Sequence, residues 1–245
     1  MLTREQAADK FERIRKLSSA DAVEVLFSGG RFALTRFANN AIHQNVADEN
    51  HMVSVRTVFG GRTARASTNK SDDDSLRRVV ESSEALAKVQ HPDPDLLSMP
   101  DSTEAAGSAS RSVRAAKPPS RYFEQTAAIT PQLRAAGVKK IVEVAQKHKL
   151  TTAGIFSSSE SVEGIFNSRG LSDWHTQTLA EVSITMLGAD SSGWQKANSP
   201  DVTNLDPLAL AEIAAQKAID SAHPAEVPAG KYTVILEPAA VLDIV

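Results

Sequence analysis

Apolar positions along the first ninety residues change period twice, from helical to alternating and back to helical. Ala7, Phe11, Ile14 and Leu17 fall on one stripe and predict an amphipathic helix. Asp21–Phe27 then alternates as a strand and meets Ser28-Gly29-Gly30, a turn signal. Arg31–Phe37 predicts a second strand ending at Asn39-Asn40, and Ala41–Val46 a third before a polar turn over Ala47–Asn50. Val53, Val55, Thr57 and Phe59 alternate with Met52, Ser54, Arg56 and Val58, as in a half-buried strand. Gly60-Gly61 joins that strand to Arg62–Thr68 as a two-residue hairpin with positive φ angles. Ser71 and Asp72 cap a closing helix whose stripe is Leu76, Val79, Val80, Ser83 and Leu86.

The same pattern recurs after residue 130. Thr130-Pro131 opens a helix with Val138, Ile141, Val142 and Ala145 inward. Thr152–Ser157, Ser161–Asn167, Trp174–Leu187 and Gly193–Asn198 supply strands. Asp206-Pro207 starts a final helix with Leu208, Ala211, Ala215, Ala218 and Ile219 inward. Matching Val25-Leu26 with Ile155-Phe156, Gly61 with Gly193, and Asp74-x-Leu76 with Asp206-x-Leu208 gives an offset of about 130 residues, the mark of internal duplication. The fold class expected is α+β: two related two-layer α/β sandwiches with mainly antiparallel sheets, because the connections are too short for crossovers. The boundaries expected are residues 1–90 and 121–225 for the two units. Between them, residues 91–120 carry five prolines and no periodicity, and read as an exposed linker. Residues 226–245 hold a strand, Tyr232–Leu236, and an apolar segment from Pro238 onward; they read as the start of a third domain at which the chain stops.

Composition narrows the function classes. Aromatic residues make up only 5% of the chain, so the core must come from aliphatic side chains and alanine. A net charge of −3 offers no general attraction to nucleic acid or to an anionic membrane. No apolar run approaches a membrane span, and the first residues lack a secretory profile. Without cysteine there is no disulfide and no thiolate metal site, and a cytoplasmic protein is expected.

Candidate chemistry is sparse. None of the six histidines has metal-ligand spacing, although His43 and His51 are placed to meet across a hairpin. His148 falls in a last helical turn, where a cation is favoured. Asp72-Asp73-Asp74 lies at a helix start and lacks the rest of a calcium loop. Ser157-Ser158-Ser159 and Ser191-Ser192 read as turns rather than nucleophiles. The Gly60-Gly61 hairpin sets Arg56 opposite Arg65, and like charges across a ladder are destabilising unless an anion lies between them. Either an acid of the same domain or water neutralises the pair, or this sheet face receives a partner's carboxylates or a peptide terminus.

Thr35-Arg36-Phe37-Ala38-Asn39-Asn40-Ala41-Ile42-His43-Gln44, followed by Val53-Ser54-Val55-Arg56 and Gly60-Gly61-Arg62, resembles the opening of the TldD/PmbA family. His91-Pro92-Asp93-Pro94-Asp95 and Tyr122-Phe123-Glu124-Gln125-Thr126-Ala127 look like that family's bridge into its second domain. Tyr232–Leu236 with Glu237-Pro238-Ala239-Ala240-Val241 looks like the start of its third. The resemblance implies a cytoplasmic metalloprotease family whose dimers enclose a cavity where unfolded peptide is cleaved or matured. Its active subunits carry an H-E-x-x-x-H zinc motif just after the strand matching Tyr232–Leu236; PmbA-type subunits, also called TldE, lack it and pair with a metal-bearing TldD-like subunit. Pro238–Val245, with Asp243 and no His-Glu pair, is closer to the metal-free type. The expectation is thus no cofactor within this chain and zinc only in a C-terminal domain or partner subunit. A TldD-like partner or a homodimer and an unfolded peptide substrate are expected, with no direct nucleic acid and no membrane. Two alternatives stay open: the N-terminal part of an active zinc peptidase, and a non-proteolytic interaction scaffold.

Overall fold

The computed structural model describes residues 1–101, 120–242 and 244. The first unit runs α1 (Arg4–Leu17), β1 (Ala22–Ala38), β2 (Ala41–Phe59), β3 (Arg62–Thr68) and α2 (Asp73–Val89). After a short helix α3 (Glu124–Ala127), the second unit repeats the order with α4 (Pro131–Lys147), β4 (Thr151–Asn167), β5 (Ser172–Leu187), β6 (Ser192–Ser199) and α5 (Pro207–Asp220). A five-residue helix, α6 (Pro238–Leu242), follows. α2, α4 and α5 start where caps were expected, with Asp72, Thr130 and Asp206 accepting backbone N–H bonds, and on α1 Thr3 and Gln6 form a capping box.

The two expected sheets are one. All six strands form a single antiparallel sheet in the order β3-β2-β1-β4-β5-β6. The joint is the β1–β4 ladder, from Glu24↔Asn167 to Phe37↔Gly154. The strands are longer than the sequence suggested: β1 and β4 have 17 residues each and β2 has 19, about 55–65 Å of extended chain. Ser28-Gly29-Gly30, Ala47–Asn50 and Ser157-Ser158-Ser159 are therefore not turns but strand interiors. They lie side by side, with Gly30 opposite both Asn50 and Ser161, and Arg31 opposite both Glu49 and Glu160. A β-carbon at Gly30 would stand 2.6 Å from the Glu160 carbonyl oxygen, so this close approach requires glycine. True turns fall at Asn39-Asn40 and Gly60-Gly61, all four residues at positive φ.

The long helices pack on one face of the sheet in two pairs. Under α1 and α2 lie Val23, Val25, Phe27, Val53 and Val55; under α4 and α5 lie Phe156, Val182, Ile184 and Met186. Each cluster takes one aromatic from the other unit. Phe166 of β4 belongs to the first core, stacked on Phe11 at 5.8 Å and edge-on to Phe27 at 5.6 Å, while Phe37 of β1 belongs to the second. Leu86, Leu208 and Ile219, expected inside, are instead about half exposed, and Ala87 and Ala214 take the inward positions. Alanine faces let α5 lie so low that Gly193 of β6 could not carry a β-carbon beneath Ala214. Glu84 of α2 fastens the end of α1: it accepts from Ser18 Oγ at 2.7 Å and from the Ser19 N–H at 2.7 Å. Burial acts to raise this carboxyl, and the hydrogen bonds from Ser18 and Ser19 outweigh it, leaving its pKa below the ordinary 4.5.

The linker is partly docked rather than simply exposed. Met99 is buried, the Met99 and Pro100 carbonyls accept from Arg169 and Asn167, and Asp93 N–H bonds to the Gly61 carbonyl. The remainder of the expected linker, residues 102–119, lies outside the described residues, as does Asp243. The strand expected at Tyr232–Leu236 has no ladder partner among the described residues, and Ile235 is 99% exposed.

Two outcomes are expected. Phe166→Ala should lower stability by about 3–5 kcal/mol, and single-tryptophan versions retaining Trp174, which packs against the cluster under α1 and α2, or Trp194 of β6 should report one shared urea midpoint. Two separated midpoints would show that the halves unfold independently. Glu84→Gln should destabilise at neutral pH, since a depressed carboxylate pKa contributes fully above the unfolded value. The gap from the unsubstituted protein should close as pH falls below about 4.5, measured by thermal unfolding at stepped pH.

Candidate functional site

Between the helix pairs the sheet is left uncovered, and its floor there is the band of residues that resemble turns. Two cavities open over this band, one of about 400 Å³ beside α1 and one of about 360 Å³ beside the start of α4. Arg31 and Glu49 stand between them, joined at 3.1 Å. Hydrogen bonding to Arg31 is the main reason the Glu49 carboxyl sits below its usual range, and the same contact raises Arg31. Glu160, on the second cavity's wall, accepts the Tyr122 hydroxyl at Oε1, 3.0 Å away. Burial and that carboxylate push the phenol above its usual range.

Arg134, in the first turn of α4, lines the second cavity and is the largest fully buried side chain among the described residues, 2% exposed. Nε donates to Thr35 Oγ1 at 3.2 Å, and Thr35 in turn donates to Asn45 Oδ1 at 2.6 Å. No carboxylate pairs with this guanidinium among the described residues, and burial alone pulls its pKa down. Nothing in the sequence singled Arg134 out. One signal was available: a cation in the first turn of a helix opposes the backbone dipole.

The opposite face carries Arg56 and Arg65. They pair directly across β2 and β3 as the hairpin required. Glu24 of β1, opposite Arg56, puts its carboxylate between them: Oε1 lies 2.8 Å from Arg65 Nη2 and 3.4 Å from Arg56 Nε. Glu24 is only 6% exposed and the two arginine side chains about one-third. Ser54 Oγ accepts a further bond from Arg65 at 3.2 Å, while Arg56 Nε is buried without a hydrogen bond. Sequence reasoning located the cations but not the acid, because β1 and β2 had been read as several short strands with no fixed register.

The histidines stay apart. His43 and His51 lie on the same strand, β2, eight residues apart and on the order of 25 Å distant; they do not meet across a hairpin. His148 ends α4 and lies 3.3 Å from Glu212 of α5. The Asp72 carboxylate accepts the Ser75 N–H as a helix cap. Among the described residues no group of three or more His, Asp or Glu is placed to hold a metal ion. No helix among them is long and apolar enough to cross a membrane. Glu24→Ala should leave two facing guanidinia without a counter-charge and cost about 2–3 kcal/mol, below the value for a fully buried pair because the arginines keep some water. A loss under about 0.5 kcal/mol in urea unfolding would show that solvent, not Glu24, neutralises them.

The model of PmbA/TldA metallopeptidase domain 1 matches residues 23–87, and that of the PmbA/TldA metallopeptidase central domain matches residues 97–222. A search of curated proteins by sequence gives no match. Among solved structures, TldE from Thermococcus kodakarensis is similar with a TM-score of 0.69 at 17% identity, over 89% of this chain and 47% of that one. A protein described as a modulator of DNA gyrase from Thermotoga maritima gives 0.75 at 16% identity, over 91% and 50%. One so described from Bacteroides thetaiotaomicron gives 0.73 at 17% identity, over 95% and 53%. The chain thus spans about half the length of these relatives, with the same fold. With both family domains matched in order over one continuous sheet, the chain belongs to the PmbA/TldD metallopeptidase family.

Proposed function

We propose that this chain is the scaffold part of a PmbA/TldD-type peptidase subunit of the metal-free kind, walling a peptide compartment and contributing subunit contacts while hydrolysis takes place on a metal-bearing partner. The observation that carries this reading is the sheet itself. Two family domains merge into one long surface whose second face bears no helix among the described residues. That face presents Phe32, Met52, Leu179 and Trp194, each roughly two-fifths exposed, among serines and charged residues. Scattered large apolar groups on a stiff, extended face suit contact with another chain. Arg56 and Arg65 lie on the same face, and the exposed parts of their guanidinia are the contact assigned to a partner's carboxylates. Fusing the units holds such a wall rigid, as a compartment requires. The cytoplasm, with unfolded peptide as substrate, completes the reading. No step of hydrolysis is assigned to residues 1–245.

Mixing experiments test it. The natural subunit containing this chain is expected to leave an unfolded peptide intact alone, and to support cleavage when combined with a metal-bearing homologue. Chelator-sensitive cleavage by the isolated subunit would favour the active zinc peptidase instead. No association and no cleavage in either arrangement would favour a plain interaction scaffold.

A further inference from the structure

Arg134 is a cation that the fold has taken out of water without giving it an anion. Its Nε is occupied by Thr35, and its two Nη groups have no hydrogen bond among the described residues. The helix dipole of α4 adds further positive potential at the same place, since Arg134 belongs to the first turn of a 17-residue helix. Arg31 is held by Glu49, and Glu160, whose Oε1 accepts the neutral Tyr122 hydroxyl, lines the same cavity without pairing with Arg134. The Arg134 guanidinium, with no carboxylate bound to it among the described residues, thus lines a cavity of about 360 Å³, at the lower end of the range for ligand sites. The remaining wall combines Ala33, Ile129 and Pro131 with the hydroxyls of Thr126 and Ser158. A planar fork with its end free matches a carboxylate, and the apolar wall suits the side chain next to it. Glu49 and Glu160 on the same wall disfavour a dianion such as phosphate.

We propose that this cavity binds the terminal carboxylate of a peptide, with Arg134 gripping both oxygens end-on and α4 supplying the field. The assignment rests on the peptide-handling role above and gives it a polarity: a chain end, not a passing chain, is what the second cavity holds. A buried cation poised this way also accounts for the Thr35–Asn45 pair beside it, which holds Nε and leaves the two Nη groups without a hydrogen bond among the described residues.

Binding to the full chain is measured by calorimetry with acetyl-Ala-Ala, its C-terminal amide, acetate and inorganic phosphate. The free acid is expected to bind at least tenfold more tightly than the amide, acetate or phosphate. Arg134→Met should abolish that preference while remaining folded, because it removes a buried unpaired charge. Should that variant misfold, Ala33→Leu fills the cavity from its floor without touching Arg134, and should weaken the free acid at least tenfold. Equal binding of acid and amide, or an unchanged preference in either folded variant, overturns the proposal. Equal binding of acetate or phosphate overturns the assignment to a peptide end. Cleavage in the mixed complex that survives Arg134→Met, with no change in preference for free C-termini, sinks this site and leaves the scaffold reading standing.

Discussion

The β1–β4 ladder is the constraint on which the other features rest. Two α/β units of similar sequence could have packed as separate bodies. Here their first strands pair antiparallel along most of their length, and neither unit closes its own core. Phe166 completes the cluster under α1 and α2, and Phe37 completes the one under α4 and α5. A fully buried aromatic contributes several kcal/mol of packing, so each unit lends the other a substantial part of its stability. Exchange of this kind fixes register as well, since a slip of one residue would turn both rings to the opposite face.

Fusing the sheets also creates the gap. Helices pack about 10 Å from a sheet and close to one another within each pair, so two pairs over a six-stranded sheet leave its middle bare. Nothing apolar is required under a gap. Glycine, serine and charged residues accumulate there, in register across β2, β1 and β4, and the two cavities stand on them. This explains why the strand interiors look like turns in the sequence. Local composition reports the absence of a covering helix as faithfully as it reports a change of direction, and only the ladder tells the two apart.

Legibility divides along the same physical line. Helix starts depend on residues within one turn, and Asp72, Thr130 and Asp206 were all readable. Asn39-Asn40 and Gly60-Gly61 were readable too, because positive φ restricts the choice of residue. The repeat was visible as an element order but not residue by residue. Val25 faces the helices whereas Ile155, its match in sequence, faces away. Gly61 makes a turn while Gly193 makes room for α5, and Asp206 caps a helix whose counterpart is capped by Asp72 rather than Asp74. Similar letters have been kept for different physical reasons. The candidate site shows the same limit: the Arg56–Arg65 pairing follows from one hairpin, but Glu24 and the Thr35–Arg134 contact join residues 32 and 99 positions apart.

The protein treats its inward-turned cations in two ways, and the difference carries the functional argument. On the helix-free face, a buried carboxylate is placed between two arginines, and the cluster is closed upon itself apart from its outer atoms. In the cavity beside α4, a more deeply buried arginine receives a hydroxyl on one nitrogen and nothing on the others. Desolvating an unpaired charge is among the costlier arrangements a fold can contain. On one face an acid sits between the cations; on the other, Glu49 and Glu160 line the same cavity, yet neither is bonded to Arg134 among the described residues. A site that is costly when empty becomes favourable when an anion enters, because the same low-polarity surroundings that penalise the lone cation strengthen the pair. At this place the uncovered floor, the start of a helix and a guanidinium without a carboxylate partner coincide.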